Sequence, residues 1–195
     1  MMIKTLASGS RGNAYYISDG QTSLLLECGI SLNDLLVGTD FNLSQVKGVL
    51  VSHQHNDHCK SVNDCIRLGL DVYAPNAVFE TKKASGHRCK PVTPFKGFTV
   101  GSFFILPFDC NHDCVNYGYL IHSNYSEERL LFFTDTYMVK YKFPGVTHIM
   151  AECNYSLEAV DYSVKQGYIP AEIKKRLIMS HMSIDNLLVF LRQTI

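Results

Sequence analysis

The chain of 195 residues lacks several features that would place it directly in a class of protein. No run of about 18 apolar residues occurs, so the sequence predicts no transmembrane helix and no membrane partner. The opening residues, "MMIKTLASGSRGN", contain no apolar segment long enough for a secretory signal. Internal repeats, low-complexity tracts and proline- or serine-rich linkers are also missing, and we expect a single domain over residues 1–195.

The chain also carries no formal net charge, because 18 lysines and arginines balance 18 aspartates and glutamates. A neutral chain gives no bulk electrostatic indication of nucleic-acid binding, although a local basic patch would still serve. The seven cysteines are an odd number at irregular spacings, which argues against a disulfide framework and favours a reducing cytoplasm. With 46% hydrophobic residues the composition is that of a globular protein, and nothing indicates an obligate protein partner.

Apolar runs bounded by turn residues predict many short strands and a few helices. Strands are predicted at residues 14–18, 23–28, 46–52, 71–75, 98–100, 102–108, 117–123, 129–135 and 147–153. Helices are predicted at 32–38 after Ser31 as N-cap, at 61–70 with Ser61 as cap, and at 76–86, ending at Gly86. Helices that follow only particular strands favour two sheets with helices outside, and not a doubly wound parallel sheet.

Four metal-competent side chains follow the predicted strand 46–52, within "SHQHNDH": His53, His55, Asp57 and His58. Their spacing fits neither the period of a strand nor that of a helix, so we expect a loop that turns from strand into helix. On such a loop His53 and His55 can face one metal ion, and Asp57 and His58 a second ion close by. Neutral imidazole suits zinc, iron and copper, and carboxylate adds affinity for manganese.

Two further candidate ligands follow later strands. His112 lies in "CNHDC" between two predicted strands, and Asp135 ends the apolar run "LLFFTD". Either residue alone would be taken as a loop or turn residue, but both lie where ligands converge on one edge of a sheet. A carboxylate such as Asp135 can bridge two cations, and paired ions about 3.5–4 Å apart recur in hydrolases. The pattern therefore predicts a dinuclear site.

The stretch "SHQHNDH" matches the His-x-His-x-Asp-His motif of the metallo-β-lactamase superfamily, which the chain resembles. The opening "LASGSRGNAYYI" looks like the start of its YycJ-like branch, which also includes phage-encoded relatives. The resemblance implies an α+β fold, an αββα four-layer sandwich with the metals at one edge of the packed sheets. It assigns His53, His55 and His112 to one ion, Asp57 and His58 to the second, and Asp135 to the bridge between them.

The chain departs from the family pattern at two places. Glu27 stands where the family commonly has an aspartate behind the metal-binding loop. In addition, the superfamily closes its second metal site with a late histidine, but the single "SHMS", at His181, better matches an earlier segment that places a histidine near the scissile phosphate in related nucleases. We favour His181 as a proton donor, with a metal ligand and a helix-flanking residue as alternatives. If His181 is the proton donor, the family pattern implies that the chain is shortened at its C-terminus and that its second metal site lacks one ligand.

The resemblance implies a metal-dependent hydrolase, most simply a phosphodiesterase or nuclease acting on DNA or RNA. Asp57 would orient the attacking water and accept its proton, and His181 would protonate the leaving group. Arg11 and Asn13, in "SGSRGN", would bind substrate, although a plain Gly-rich turn is an equal alternative. Two divalent ions are expected, zinc first, with manganese or iron as alternatives.

Two other functions are also compatible with the sequence. The same site could hydrolyse a thioester, a lactone or a small cyclic phosphodiester, which the neutral charge favours. Alternatively, the chain could be a catalytically weak metal-binding protein that lacks the last ligand.

The cysteines near the motifs carry less weight. The spacing of Cys110 and Cys114 around His112 does not fit a zinc knuckle. Cys59 and Cys153 adjoin site residues, and they lie either near the metals or, as is commoner, buried and inert.

Overall fold

The computed structural model describes residues 1–194, and there it contains eleven strands, seven α-helices and a short 3-10 helix at Leu43–Gln45. The strands are β1 Met2–Ala7, β2 Ala14–Ser18, β3 Ser23–Leu26, β4 Val46–Leu50, β5 Val72–Ala74, β6 Cys89–Pro91, β7 Phe98–Val100, β8 Phe103–Cys110, β9 Asn116–Ser123, β10 Arg129–Phe133 and β11 His148–Ala151. The helices are α1 Leu32–Gly38, α2 Asn56–Cys59, α3 Val62–Arg67, α4 Asn76–Lys82, α5 Leu157–Lys165, α6 Ala171–Ser180 and α7 Ile184–Thr194.

The strands form two mixed sheets. The first has six strands in the order β1-β2-β3-β4-β5-β6, and it is antiparallel up to β3 and parallel from β3 to β6. The second has five strands in the order β11-β10-β9-β8-β7, with only the β10–β11 pair parallel. Parallel pairs need long crossovers, and this is where most of the helices are inserted.

Alternation along β3 places the first sheet between two apolar layers. Leu24 and Leu26 lie in the cluster between the two sheets, whereas Leu25 lies in the cluster that contains Leu35 of α1. Because successive strand residues point to opposite faces, a strand covered on both faces is a continuous apolar run. The "SLLL" of β3 is buried at every position for this reason.

The second sheet is covered on both faces in the same way. Leu130 and Phe132 of β10 face the first sheet, and Leu131 and Phe133 pack on the side of α7. There the ring centroids of Phe133 and Phe190 lie 5.2 Å apart. The layers are therefore helix, sheet, sheet and helix, which confirms the predicted α+β class and αββα sandwich.

The predicted elements need several corrections. Helix α4 ends at Lys82 because Lys83 adopts a left-handed conformation (φ 50°), so the helix does not reach Gly86. Ser61 does occupy the N-cap position of α3, but its hydroxyl makes no capping hydrogen bond and donates instead to the carbonyl of Ile30 at 2.6 Å. The predicted strands omit β1, which pairs antiparallel with β2. Among residues 1–194, no helix combines the length and apolar character that crossing a membrane requires.

The carboxylate of Asp19 fastens the two sheets together at the turn between β2 and β3. One of its oxygens accepts the N–H groups of Gln21 and Thr22 at 2.9 and 2.8 Å. The other accepts the hydroxyls of Ser102, in the turn between β7 and β8, and of Ser123, at the end of β9, at 2.5 and 2.6 Å. Burial raises the pKa of Asp19, but these hydrogen bonds outweigh burial and hold the pKa below its ordinary value.

We predict that Asp19→Asn lowers the free energy of unfolding by about 1.5–3 kcal/mol near neutral pH, since hydrogen bonds to a charged acceptor are lost. A carboxyl with a lower pKa in the folded state stabilises above the unfolded-state pKa of about 3.9. This contribution disappears as the pH falls through the folded pKa, so the variant and the wild type should converge in acid.

Urea unfolding at pH 7 and below pH 4 measures both effects, with the exposed Asp109→Asn as a control that should behave as wild type. A deficit that persists unchanged in acid would contradict this role of the carboxylate.

Candidate metal centre

The loop that follows β4 carries the residues of the "SHQHNDH" stretch, and α2 is held tightly against the first sheet. The N–H of Asn13 donates to the carbonyl of Asp57 at 2.8 Å, and the N–H of Cys28 donates to the carbonyl of His58 at 2.9 Å. A Cβ atom at Gly29 would lie 1.6 Å from the carbonyl oxygen of Asp57, so only glycine permits this approach. The backbone contacts fix α2 where the sheet ends.

Three histidines converge through one ring nitrogen each. His55 Nδ1 lies 3.1 Å from His53 Nε2 and 3.2 Å from His112 Nε2. His53 is fully buried, and its other nitrogen lies 2.8 Å from the hydroxyl of Ser52, which orients the ring. The three histidines, which follow two different strands in the sequence, therefore meet in the folded chain.

Asp135 lies between this trio and His58. Its Oδ2 is 3.7 Å from His53 Nε2, 3.8 Å from His112 Nε2 and 3.6 Å from His58 Nε2. The backbone of Asp135 is left-handed (φ 48°), and Asn116 holds it by donating to its carbonyl at 2.8 Å. The equal distances place this carboxylate where a bridging ligand would stand.

His58 is surrounded by carboxylates. Its Nε2 is 3.4 Å from Asp57 Oδ2, and its Nδ1 is 3.8 Å from Oε2 of the fully buried Glu27. The Glu27 carboxylate also accepts the N–H of Ser52 at 3.2 Å. Glu27 thus stands directly behind the loop that carries His53 and His55.

Charge is unevenly distributed among these groups. Burial opposes a charged His58, but the interactions with Asp135, Asp57 and Glu27 outweigh it and raise its pKa to about 12. Burial, together with the neighbouring His58, lowers the pKa of His53 to about 2. For Asp135, burial raises the pKa, but the interaction with His58 outweighs it and leaves the pKa below its ordinary value.

These residues fit a divalent metal. The trio and the group of His53, His58 and Asp135 each bring their donor atoms within 4.8 Å of one another. Imidazole nitrogens with carboxylate oxygens are the ligands that zinc and similar ions take, so the donor set supports divalent metal binding.

A cavity of about 1110 Å³ opens over these donors. His181, at the end of α6, lines it, with its ring centroid 6.0 Å from that of His112 and its Nδ1 2.6 Å from Oε1 of Glu152. Glu152 also accepts the N–H of Thr136 at 3.3 Å, and its interaction with His181 raises the pKa of that histidine. Arg176 of α6 lines the same cavity.

The two predicted substrate-binding residues are placed differently. Asn13 lines the cavity, but its amide lies 3.3 Å from His58 Nε2, and its Oδ1 accepts the N–H of Gly9 at 3.0 Å. Arg11 is exposed and is not among the residues that line the cavity. The "SGSRGN" segment thus closes around Asn13 and leaves Arg11 outside.

Comparisons with known proteins point to one group. A family model described as anti-Pycsar protein Apyc1 matches residues 6–85. The exodeoxyribonuclease YycJ of Bacillus anthracis is 29% identical over 190 residues, covering 89% of this chain and 69% of the relative. The exodeoxyribonuclease WalJ of Streptococcus pneumoniae is 25% identical over 195 residues, covering 91% and 71%.

Solved structures agree on the fold. The metallo-β-lactamase fold protein YhfI from Bacillus subtilis matches with a TM-score of 0.65 and 19% identity, over 80% of this chain and 72% of that one. Human tRNase Z, short form, matches with a TM-score of 0.69 and 12% identity, over 98% and 87%.

The chain is similar in sequence to the YycJ-like exodeoxyribonucleases, and it has the metallo-β-lactamase fold.

The resemblance stated from the motifs is thereby confirmed, and so is the fold that it implied. Several cavity residues of this protein escaped the sequence reasoning. Glu152 follows β11 as Asp135 follows β10, so the strand-end rule could have found it. Arg176 gave no comparable signal, because nothing in the sequence places α6 over the metal centre. Cys114 lies beside the histidines but does not line the cavity, and the sequence presents it only as part of a zinc knuckle with Cys110, which its spacing does not fit.

We predict that Glu27→Gln weakens divalent metal binding by about 10–100-fold, the usual cost of losing a group that orients a ligand from behind. The amide keeps the shape and one acceptor for Ser52 but removes the charge that faces His58. Competition with a chromophoric chelator measures the affinity, with the exposed Glu80→Gln of α4 as a control. Unchanged metal affinity, with lower thermal stability alone, would leave Glu27 a purely structural role.

Proposed function

We propose that this protein is a metal-dependent phosphodiesterase that cleaves DNA or RNA. The observation that supports it best is the convergence of three histidines and Asp135 at a cavity that His55, His112 and Asp135 line together with His181 and Arg176. The curated relatives are named exodeoxyribonucleases, which supports a nucleic-acid substrate.

The proposed centre holds two divalent ions, with zinc as the first choice. The ligand assignment is the one that the family resemblance implies: His53, His55 and His112 would hold one ion, Asp57 and His58 would hold the other, and Asp135 would serve both. When bound, such ions stabilise negative charge on phosphoryl oxygens and make a hydroxide nucleophile available near neutral pH.

Asp57 is placed to handle the nucleophile. Its interaction with His58 lowers the pKa of its carboxyl, so the group is ionised at neutral pH. The side chain lines the cavity at the start of α2, where a carboxylate oxygen can accept a hydrogen bond from a water and then its proton.

His181 is placed to handle the leaving group. With Nδ1 turned to Glu152, its Nε2 is the nitrogen left to act on a substrate, and it can protonate the departing alkoxide. Glu152 acts through His181, since it fixes the ring and favours its charged form. Arg176 adds a positive charge on the same side, suited to a phosphate oxygen.

A small-ester or cyclic phosphodiester hydrolase is the second candidate. The observation in its favour is the cavity of about 1110 Å³ in a chain of zero formal net charge. Small-molecule sites usually occupy about 300–1,000 Å³, so the cavity suits a mononucleotide-sized substrate as well as the end of a strand. Assays at equal enzyme concentration on single-stranded DNA, RNA and cyclic mononucleotides separate the two candidates.

A metal-binding protein with little turnover is the third candidate. Of the histidines after Asp135 in residues 1–194, His148 opens β11 beside Thr147, and His181 pairs with Glu152. Unless His181 or Glu152, whose donor atoms lie within 4.8 Å of a carboxylate oxygen of Asp135, also binds it, the second ion would have only Asp57, His58 and Asp135 from residues 1–194. One bound ion per chain without hydrolysis of any substrate class would favour this candidate.

We predict that His55→Ala and Asp57→Ala each abolish metal-dependent cleavage while the protein stays folded. For Asp57→Ala we expect a loss in kcat of about 10²–10⁴-fold, the usual contribution of a positioned acid or base. His55→Ala should also lower bound metal per chain, measured by elemental analysis. Asp161→Asn, an exposed change on α5, should behave as wild type, and unchanged cleavage in both site variants would refute the proposed site.

We also predict that His181→Ala slows cleavage of DNA far more than cleavage of a p-nitrophenyl phosphodiester. A nitrophenolate leaves without a proton, so the variant should lose about 10²-fold or more only on the alkoxide substrate. Glu152→Gln should show the same pattern to a smaller degree, because it affects the proton only through His181. Equal losses on both substrates, or a fall in thermal stability that accounts for the lost activity, would contradict proton donation.

A further inference from the structure

The cluster of three histidines has a fourth neighbour that the proposed centre does not use. Cys114 lies two residues after His112, in the short connection between β8 and β9. The donor atoms of His53, His55, His112 and Cys114 all lie within 4.8 Å of one another. Neither Cys59 nor Cys153, the cysteines singled out beside the motifs, belongs to such a group among the described residues.

The spacing of these atoms suits tetrahedral coordination. Zinc–nitrogen bonds of about 2.0–2.1 Å place two ligand nitrogens about 3.4 Å apart, and a zinc–sulfur bond of about 2.3 Å places sulfur about 3.6 Å from nitrogen. The nitrogen of His55 lies 3.1 and 3.2 Å from those of His53 and His112, slightly inside that separation. Small outward shifts of the rings would open the trio around an ion, with the thiol within reach.

Asp113 is the competing ligand on the same loop. Its Oδ1 lies 3.2 Å from His112 Nε2, but it approaches His55 through Nε2 at 3.5 Å, and not through the Nδ1 that faces the trio. Its side chain is 45% exposed, whereas Cys114 is half-buried. The Asp113 carboxylate therefore lies at the margin of the three histidines, whereas the Cys114 sulfur lies among their donor nitrogens.

We propose that Cys114 is a protein ligand of the ion held by the three histidines, forming a His₃Cys set that selects zinc over manganese. The sulfur binds as thiolate, and its proton leaves to solvent as the metal–sulfur bond forms. Thiolate is a soft ligand that favours zinc, whereas manganese prefers oxygen ligands. The inference rests on the proposed metal centre and is independent of the substrate.

Cobalt(II) substitution tests this ligand directly, without any activity measurement. Thiolate bound to cobalt gives an intense near-ultraviolet charge-transfer band that imidazole and carboxylate do not give. The wild-type protein should develop the band as cobalt is added, and Cys114→Ser should lose it while still binding cobalt in the visible region. Cys153→Ser, which alters an exposed cysteine that lines the cavity, and Asp113→Asn should both keep the band.

Metal affinities give a second readout that a merely structural cysteine would not move. Cys114→Ser should weaken zinc binding by at least about tenfold and leave manganese binding unchanged. About tenfold is the smallest usual loss of metal affinity when a residue that only supports a ligand is changed, and losing a ligand should cost no less. Cobalt binding in the wild type without the charge-transfer band, or a band that persists in Cys114→Ser, would show that Cys114 is not a ligand. Either result would leave the proposed metal centre itself unaffected. A wild-type protein that binds no cobalt would overturn both.

Discussion

The buried imidazole of His58 is the contact on which the metal centre depends. It lies between Glu27, which follows β3, Asp57, in its own turn of helix, and Asp135, which follows β10. One ring thus ties the two sheets to the motif loop at the same edge of the sandwich. Without a positive partner, which is a protonated His58 in the absence of metal or a bound cation in its presence, three carboxylates brought together away from water would repel one another.

The remaining ligands follow from that anchoring. Once α2 is fixed against the first sheet by the contacts of Asn13 and Cys28, the loop before it can carry His53 and His55 only towards the second sheet. There His112, in the loop after β8, meets them, and Asp135 approaches from β10. The donor atoms therefore come from elements far apart in sequence but fixed in one rigid edge, as preorganised metal binding requires.

Backbone strain at this edge of the sandwich positions two of the carboxylates. Glu27 and Asp135 both adopt positive φ angles, 61° and 48°, which non-glycine residues rarely do. In each case the chain leaves its strand abruptly and turns the carboxylate inward. The cost is offset by hydrogen bonds, from the N–H of Ser52 to Glu27 and from the amide of Asn116 to the carbonyl of Asp135. Strained backbone held in this manner is common where ligands must be positioned.

The sequence by itself determined the fold class and the composition of the candidate site. Apolar runs predicted the strands, because a strand covered on both faces must be apolar throughout, and the density of histidine and aspartate at strand ends predicted the metal centre. Four predicted strands ran two residues too far, to Cys28, Ser52, Asp135 and Cys153, because their last residues leave the sheet to build the site. An apolar pattern does not show that turn.

Only the tertiary structure decided which groups meet. The pairing of Glu152 with His181 joins residues 29 positions apart, and Arg176 reaches the cavity only because α6 packs over it. Cys114 faces the histidines, while Arg11, which sequence reasoning favoured for substrate binding, does not line the cavity. Spacing along the chain constrains neighbours on one element, but the approach of side chains from different elements depends on how those elements pack.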